Sequence, residues 1–304
     1  MHKYFRAIGF SENMKALDIY NLMESVMTKA THRAFITDPQ DDNAMLTELR
    51  LDLGSGYGVC VTGVYDEDEE FDREAIFPYF ASETVSSLEQ VVIEERIEGR
   101  SYAGIVDDLA VGTSLIFRLL NEVAFLKSGA PQYQLLPGTS VCLSGLSVEG
   151  SVMLPIQKTR EDVISSRKSD DMRRSLMTRA REGDEEAMRD LTMQDMEMYN
   201  VIMDKLVSDD IYTIVESTFM PTGVECDLYS VLGEIVSCEL TRNPITMEHV
   251  WILAVAYGDL RLKICINDAD LYGEPAPGRR FKGLVWLQGI VNFPDMVEEI
   301  EIDP

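Results

Sequence analysis

The stretch HVWILAVAYGDLRLKICINDADLYGEPAPGRRFKGLVWLQGIVNF, residues 249–293, decides the fold that we predict for the chain. Residues 250–257 are almost wholly apolar, which is typical of a strand that is buried on both faces. Residues 260–266 alternate between apolar and polar side chains, which predicts a half-buried strand. Residues 284–293 form a third strand pattern. The stretch therefore predicts an antiparallel β-meander or a small barrel at the C-terminal end.

The loop between the second and third of these strands carries a cluster of positive charge. Residues 273–283 are GEPAPGRRFKG, with two arginines and a lysine between glycines. Guanidinium groups bind carboxylate or phosphate through paired hydrogen bonds, and glycine lets a ligand approach the backbone closely. The loop is therefore a candidate binding site for a small anion or a nucleotide. The candidate residues are Arg279, Arg280, Lys282, Asp270, Glu274 and Trp286.

A structural role explains the same arginines equally well, because one of them could pair with Asp270 or Glu274 and pin the loop. Strand alternation also points Arg279 and Arg280 to opposite sides, unless the third strand begins after Gly283. Alanine substitutions separate the two interpretations. Breaking a buried pair costs on the order of 3–5 kcal/mol, whereas losing a surface contact costs about 0.5 kcal/mol or less.

The charge of the whole chain limits its partners. Acidic residues outnumber lysine plus arginine by 53 to 27 in 304 residues, which gives a net charge of −26. Such a chain repels the phosphates of nucleic acids and of anionic membranes. We therefore expect neither a membrane nor nucleic acid as a partner. A protein is the expected partner, and a small anionic ligand is the alternative.

The cysteines indicate the compartment. The chain has five, which are widely spaced and lack any CxxC pair, so they suggest neither a zinc site nor a disulfide framework. Free thiols fit a reducing compartment. The N-terminal segment has no apolar run of signal-peptide length, and no stretch of about 18 apolar residues occurs. We expect a cytoplasmic protein without a cofactor or a metal ion.

The rest of the chain divides by composition. Residues 4–10 are compatible with a short first strand, and residues 14–30 carry apolar side chains at helical spacing. Strand patterns and turns then follow up to about residue 156, after which helix-forming residues replace them. We predict an α+β fold with a largely antiparallel N-terminal sheet and one long helix. The predicted parts are an α+β domain (1–157), a helical connector (158–215) and a β-rich C-terminal domain (216–304).

No sequence motif indicates catalysis. The histidines are His2, His32 and His249, and no GxSxG, HExxH, P-loop or Rossmann pattern accompanies them. Carboxylates are too numerous in so acidic a chain to single out a pair. We predict a non-enzymatic binding or protein-interaction protein, with no catalytic or metal-binding residue. A hydrolase that uses carboxylates, as glycoside hydrolases do, is the further alternative.

Four phrases resemble a known family. They are HKYFRAIGF at residues 2–10, REGDEEAMRDLT at 181–192, FMPTGVECDLYSVLGEI at 219–235 and CINDADLYGEPAPGRRFKGLVWLQG at 265–289. Together they resemble an uncharacterised family of cytosolic bacterial proteins, defined only as a domain of unknown function, over nearly the whole chain. The resemblance implies one inherited unit. It implies no activity and no catalytic residue.

Overall fold

Four antiparallel strands form the first sheet of the protein. The structure, a computed structural model, describes residues 3–39, 41–68, 70–96, 101–108, 111–156, 160–206, 215, 217–223 and 226–294. In spatial order the strands are β1 (His32–Asp38), β2 (Asp41–Gly54), β3 (Tyr57–Tyr65) and β4 (Phe71–Phe80). Between β2 and β3, Ser55 and Gly56 have φ angles of 51° and 84°, the left-handed conformation that a tight turn requires. The predicted N-terminal antiparallel sheet is confirmed.

The predicted long helix covers one face of this sheet. Helix α1 (Ala16–Lys29) buries Leu22 and Val26, which lie one turn apart on its inner side. Arg33 of β1 donates from Nη2 to the carbonyl of Met27 at 3.1 Å, which places the helix on the face from which Arg33 projects. The other face of the sheet meets a different part of the chain.

That part consists of three short strands and a short helix. The strands are β5 (Val91–Glu95), β6 (Tyr102–Asp108) and β7 (Thr113–Leu119), paired antiparallel in that order, and the helix is α2 (Glu122–Ser128). Helix α2 packs against β1 and β2. The first sheet is thus covered on both faces, by α1 on one side and by α2 and its neighbours on the other.

A closed barrel of five strands forms the second half of the fold. Its strands are β8 (Ser140–Met153), β10 (Leu228–Arg242), β11 (His249–Tyr257), β12 (Leu260–Asn267) and β14 (Arg280–Asn292). Strand β8 pairs parallel with β12, the other neighbours pair antiparallel, and β14 closes the ring between β10 and β8. Short strands β9 (Thr218–Pro221) and β13 (Leu271–Tyr272) add to β10 and β8. The predicted small barrel is confirmed.

The last strand of the barrel differs in detail from the prediction. It begins at Arg280, before Gly283, and it lies between β10 and β8 instead of beside β12. The antiparallel meander is therefore β10–β11–β12. The physical reason is closure: a strand that pairs on both sides leaves the barrel without an exposed edge, and a strand added to β12 would not do so.

The predicted strand at residues 4–10 is wrong. The chain forms a 3-10 helix at Lys3–Ile8, with Tyr4, Phe5 and Ile8 buried. This helix contacts β4, β8 and β12, and the Tyr4 ring stacks on the indole of Trp286 at 5.4 Å between centroids. The apolar residues that suggested a strand instead pack between the two sheets. Two turns of 3-10 helix can present them on several sides, whereas a strand would need a free sheet edge.

The helical connector is confirmed where the structure describes it. Helices α3 (Arg160–Arg181) and α4 (Glu185–Leu206) form a hairpin around Gly183, whose φ is 91°. Residues 207–214 lie outside the described part of the chain. None of the described helices is long and apolar enough to cross a membrane. The division into domains at 157/158 and 215/216 stays a prediction, and β8 of the first predicted domain pairs with β12 and β14 of the third.

A carboxylate-lined cavity as the candidate functional site

A cavity of about 230 Å³ lies between the first sheet and α2, with β5 and β6 at its side. Five carboxylic side chains line it, from β1, β2, β4, β5 and α2. They are Asp38, Glu48, Glu74, Glu95 and Glu122. Of the described residues that line the cavity, none is a lysine, an arginine or a histidine. Several carboxylic side chains therefore meet around one space.

Strand alternation places the central residues of this wall. Glu48 on β2 lies opposite Thr62 on β3, and the next pair in the register is Leu49 with Val61. Successive side chains of a strand point to opposite faces. Glu48 and Thr62 therefore face the cavity, while Leu49 and Val61 face α1. Both polar side chains are well covered, since Glu48 is 2% exposed and Thr62 is 8% exposed.

A register irregularity beside Asp38 and a β-bulge at Glu74 lie where two further carboxylates join the same wall. The register of β1 with β2 shifts between Thr37 and Asp38. The register of β3 with β4 shifts where Thr62 pairs with Ala75 and Gly63 with Arg73, so Glu74 is the extra residue of the bulge. A bulge turns a side chain away from the direction that simple alternation would give it, and bulges are common beside active sites. The local sequence thus adds Asp38 and Glu74 to the cavity wall.

Two arginines that do not line the cavity contact carboxylates of its wall. Arg50 Nη2 lies 2.7 Å from Glu48 Oε1 and donates to the carbonyl of Leu120 at 2.6 Å. Arg118 Nη2 lies 3.4 Å from Glu122 Oε1. Each guanidinium group also lies over an aromatic ring of β4. The guanidinium carbon of Arg118, for example, is 4.0 Å from the centroid of the Phe77 ring. These contacts fix the orientation of Glu48 and Glu122 at the cavity.

Glu122 is the carboxyl group most affected by this environment. Burial is the main cause that raises its pKa, Arg118 lowers the pKa and the Glu48 charge raises it, and the net result is a pKa of about 7. The Tyr102 N–H donates to Glu122 Oε1 at 3.4 Å and also lowers the pKa. Groups with such shifted pKa values occur frequently at functional sites, although structural ion pairs also produce them. Glu122 changes its charge near neutral pH, so the charge of the cavity changes with it.

Thr62 adds a hydroxyl group to the carboxylates of the cavity wall. Its side chain is more than nine-tenths buried and lines the cavity. The wall therefore holds a neutral polar group beside its carboxylates.

The cavity does not match a metal centre. Among the described residues, no three His, Cys, Asp or Glu side chains lie close enough together to hold a metal ion. Its carboxylates and hydroxyl groups can instead accept hydrogen bonds, and Leu46, Val123 and Leu126 add apolar surface. Such a wall can hold a small molecule with both a charged and an apolar part.

Comparison with known proteins gives one match. The model of a family described as DUF3881, a domain of unknown function with an E. rectale gene description, matches residues 5–289. The chain belongs to the DUF3881 family. No curated protein and no solved structure matches it. The resemblance inferred from the four sequence phrases is confirmed, and the family supplies no activity.

The two predicted arginines of this DUF3881 protein bind backbone carbonyls. Buried Arg280 donates from Nε to Leu154 O at 3.1 Å and from Nη1 to Val215 O at 3.0 Å. Arg279, which is half-buried, donates from Nη1 to the carbonyl of Glu274 at 2.6 Å. The strand begins at Arg280, so the condition under which both arginines could serve one ligand is not met. These contacts resemble those of an architectural loop.

The other predicted residues of the DUF3881 protein lie apart from one another. Asp270 forms a two-point ion pair with Arg6, at 2.7 and 3.2 Å. Trp286 is buried and donates from Nε1 to Asp227 Oδ2 at 2.9 Å. Lys282 lines a separate shallow groove of the barrel. An anion site in this loop stays a prediction, and the structure does not gather the six residues around one space.

The sequence analysis did not predict this cavity, because the residues that line it are far apart in the chain. Its carboxylates are spread from residue 38 to residue 122, and the pattern of β2, with Glu48 and Arg50 between leucines, is that of a strand with one face in water. Only the packing of α2 shows that the polar face is buried. A single signal was present: the strand that follows, β3, has no charged residue on either face, which is unusual for the partner of a half-exposed strand.

Proposed function

We propose that the protein is a non-enzymatic binding protein and that its carboxylate-lined cavity takes a small molecule. The observation that carries the proposal is the cavity of about 230 Å³, whose wall holds five carboxylic side chains and Thr62. A cavity that served packing alone would be lined by apolar groups, which cost nothing to bury. Polar groups persist in such a place when they have a molecule to bind.

The plain alternative is a structural network of ion pairs. It accounts for Glu48 with Arg50 and for Glu122 with Arg118, at 2.7 and 3.4 Å. Replacing a buried ion pair by apolar residues is often neutral or stabilising, so such a network is weak evidence for a purely structural role. The alternative also leaves the cavity itself without an explanation.

A ligand-observed NMR screen of a fragment library tests the proposal. The comparison is between the wild type, the cavity-filling variant Val123→Phe and the control Val85→Phe, because Val85 is 44% exposed and does not line the cavity. Fragments should bind the wild type and the control, and Val123→Phe should remove their binding. Fragments that bind all three proteins equally, or no binding fragment at all, would contradict the proposal.

A protein partner is the second candidate, and the helical hairpin favours it. Four methionines of α3 and α4 are exposed by 44–63%: Met172, Met188, Met193 and Met196. Exposed methionines form adaptable contact surfaces. A cross-linking experiment with a photoreactive group at residue 193, against one at residue 83, tests whether this surface contacts a protein.

A hydrolase that uses carboxylates is the remaining candidate. One observation favours it, namely the Glu122 pKa of about 7, which suits a general acid or base near neutral pH. A thiol mechanism is not expected, because burial raises the pKa of the Cys60 thiol, which lies opposite Arg50 in the sheet register. Conversion of a bound fragment to a product, lost in Glu122→Gln, would support hydrolysis over binding alone.

We also propose a bacterial, cytoplasmic protein. All five cysteines are free thiols, which fits a reducing compartment. The matched family has an E. rectale description, which fits a bacterial source. Fractionation of the source cells with an antibody against the chain tests the compartment.

A further inference from the structure

The outer edge of strand β1 has no neighbouring strand in the part of the chain that the structure describes. Strand β1 pairs with β2 alone, in continuous register from His32 to Thr37. In an antiparallel pair, alternate residues of an edge strand direct their backbone N–H and C=O groups away from the neighbouring strand. Apart from β2, no described segment forms a backbone hydrogen bond with residues 32–37. The edge therefore offers hydrogen-bonding groups to another strand.

The other sheet edges among the described strands are protected. In β4, Pro78 has no N–H group, and the side chain of Gln288 binds the Pro78 carbonyl and the Phe80 N–H, at 3.0 and 2.9 Å. The segment 133–136 donates two backbone N–H groups to carbonyls of β5, at 3.0 and 2.9 Å. Strands β9 and β13 are only four and two residues long. Natural proteins protect their sheet edges in such ways because an unprotected edge pairs with another chain.

Strand β1 differs from these edges in its composition. It has seven residues, without a proline or a glycine, and its centre at residues 34–36 is apolar and half-buried. Residues 29–37 contain no acidic side chain, although the whole chain has a net charge of −26. A second strand can therefore approach this edge with less electrostatic repulsion than the acidic remainder of the chain would cause.

The charges at the two ends of β1 favour a second copy of the same strand. Exposed Lys29 precedes the strand and Arg33 lies near its start, whereas exposed Asp41 and Asp42 lie beside its end. An antiparallel second copy brings the basic start of one strand next to the acidic end of the other, and opposite charges across strands are stabilising. A parallel copy would bring like charges together. The charge pattern of the edge is thus complementary to itself in the antiparallel orientation.

We propose that two copies of the chain pair through β1, antiparallel and about a two-fold axis, so that their four-stranded sheets join into one sheet. With full overlap of the strands, Phe35 lies opposite Phe35 of the second copy, and Arg33 lies opposite Thr37 of the second copy. Such an interface uses the same surface of both copies and closes without further growth. Residues 32–37 do not line the carboxylate-lined cavity, so the inference goes beyond the proposed binding function and is independent of it.

The dimer should be weak because the interface is small. Seven residues of strand span about 23 Å, and a pairing of that length buries less surface than a standard interface. We expect a Kd on the order of 10 µM. Sedimentation of the wild type from about 1 µM to about 200 µM should therefore show a shift from monomer to dimer. A monomer at every concentration would overturn the proposal.

Hydrogen exchange of the wild type, followed by mass spectrometry, locates the interface without any substitution. The segment of β1 should exchange severalfold more slowly at about 200 µM than at about 1 µM, because the second copy accepts hydrogen bonds from its outward N–H groups. The segment of β4 should exchange at the same rate at both concentrations. Protection that appears only elsewhere, for example in α3 and α4, would overturn the assignment to β1.

Three substitutions test the pairing of the two strands. Thr37→Lys places a cation opposite Arg33 of the second copy and should weaken the dimer about tenfold or more. Thr37→Glu places an anion at the same position and should weaken the dimer much less. Thr84→Lys introduces the same charge as Thr37→Lys at an exposed residue outside the first sheet, and it should leave the dimer unchanged. Thermal melts check that each variant folds.

The outcomes of these experiments each decide one point. Equal dimerisation of the wild type and Thr37→Lys, or equal losses in Thr37→Lys and Thr84→Lys, would overturn β1 as the interface. Equal losses in Thr37→Lys and Thr37→Glu would overturn the antiparallel pairing that places Arg33 opposite Thr37. A failed fragment screen with an intact dimer would remove the proposed binding function alone.

Discussion

The two faces of the first sheet are both buried, yet they differ in chemistry. The face under α1 carries Leu49 and Val61, which are at most 1% exposed. The face under α2 carries Glu48 and Thr62, directly beside them in the strands and exposed by only 2% and 8%. The sheet can therefore bury apolar side chains on either side, and the polar face is not a requirement of the fold.

The two faces of the sheet differ in how their side chains affect the stability of the fold. Apolar burial contributes about 25 cal/mol for each Å² removed from water, and it accounts for the face under α1. Buried carboxylates and hydroxyl groups cost free energy unless they are paired. Even when they are paired, as Glu48 is with Arg50, the charged groups of the face under α2 carry a cost of desolvation. Proteins often keep such unfavourable groups where they have a function.

The largest expected effect comes from breaking one ion pair on the polar face. Glu48→Leu leaves Arg50 buried without its carboxylate and should lower the free energy of unfolding by about 3–5 kcal/mol. The double variant Glu48→Leu with Arg50→Met should recover at least half of this loss, because an apolar pair replaces the ions. Urea unfolding of both variants measures the difference. A double variant as unstable as the single one would mean that the polar face is structural.

A second effect is a pH dependence that only the polar face should show. The Glu122 pKa is raised from 4.5 to about 7, so between these values the folded protein keeps a proton that the unfolded chain has lost. This stability contribution is present at low pH and is lost as pH rises through 7. The wild type should lose about 2–3 kcal/mol relative to Glu122→Gln between pH 5 and pH 8. Urea unfolding at several pH values, with Glu94→Gln as control, checks this.

A constant difference between the wild type and Glu122→Gln over that range would show that the glutamate titrates like an exposed one. The measurements lie above the isoelectric point of about 4.4, where the chain keeps its negative charge. Val61→Ala on the apolar face should lower stability by a constant amount at every pH.

A buried arginine of the barrel gives a comparison outside the sheet. Arg280 binds two backbone carbonyls, at 3.1 and 3.0 Å, whereas Arg50 faces a carboxylate. We expect Arg280→Ala to cost about 2–3 kcal/mol, because it removes charged hydrogen bonds and leaves carbonyls unpaired. Arg279→Ala should cost about 1 kcal/mol or less. Equal and small losses in both variants would restore the anion-site interpretation of the loop.

The smallest expected effect compares two consecutive residues that point to opposite faces. Val61→Ala removes two methyl groups from a filled core and should cost about 2 kcal/mol. Thr62→Val removes a hydroxyl that lines the cavity and should change stability by less than about 1 kcal/mol, in either direction. Denaturant melts measure both. A loss of several kcal/mol in Thr62→Val would mean that its hydroxyl supports the fold.

Much of the fold follows from local sequence. The alternation of Leu260 to Ile266, the glycine turn before Tyr57 and the apolar spacing of α1 each act within about a dozen residues, so they could be predicted. The closure of the barrel could not, because β14 pairs with β8 over a separation of more than a hundred residues. Local patterns carry no information on which distant strand completes a ring.

The site was less predictable than the fold for the same physical reason. The arginines of the loop were predicted to form a site because they are adjacent in sequence. The structure shows instead that Arg280 donates hydrogen bonds to backbone carbonyls of distant segments. The cavity needs Glu48 and Glu122, which are 74 residues apart and come together only when α2 packs on the sheet. Sequence shows the charges, and only tertiary packing shows which of them are buried.

The most direct test compares the two faces in one measurement. Methyl-labelled protein is titrated with a fragment that binds in the ligand-observed screen, and the leucine and valine methyl signals are followed by NMR. The account predicts concentration-dependent shifts at Leu46, Val123 and Leu126, which line the cavity. It predicts no shifts at Leu49 and Val61, on the face under α1. Shifts of equal size on both faces, or none at the three cavity residues, would contradict it.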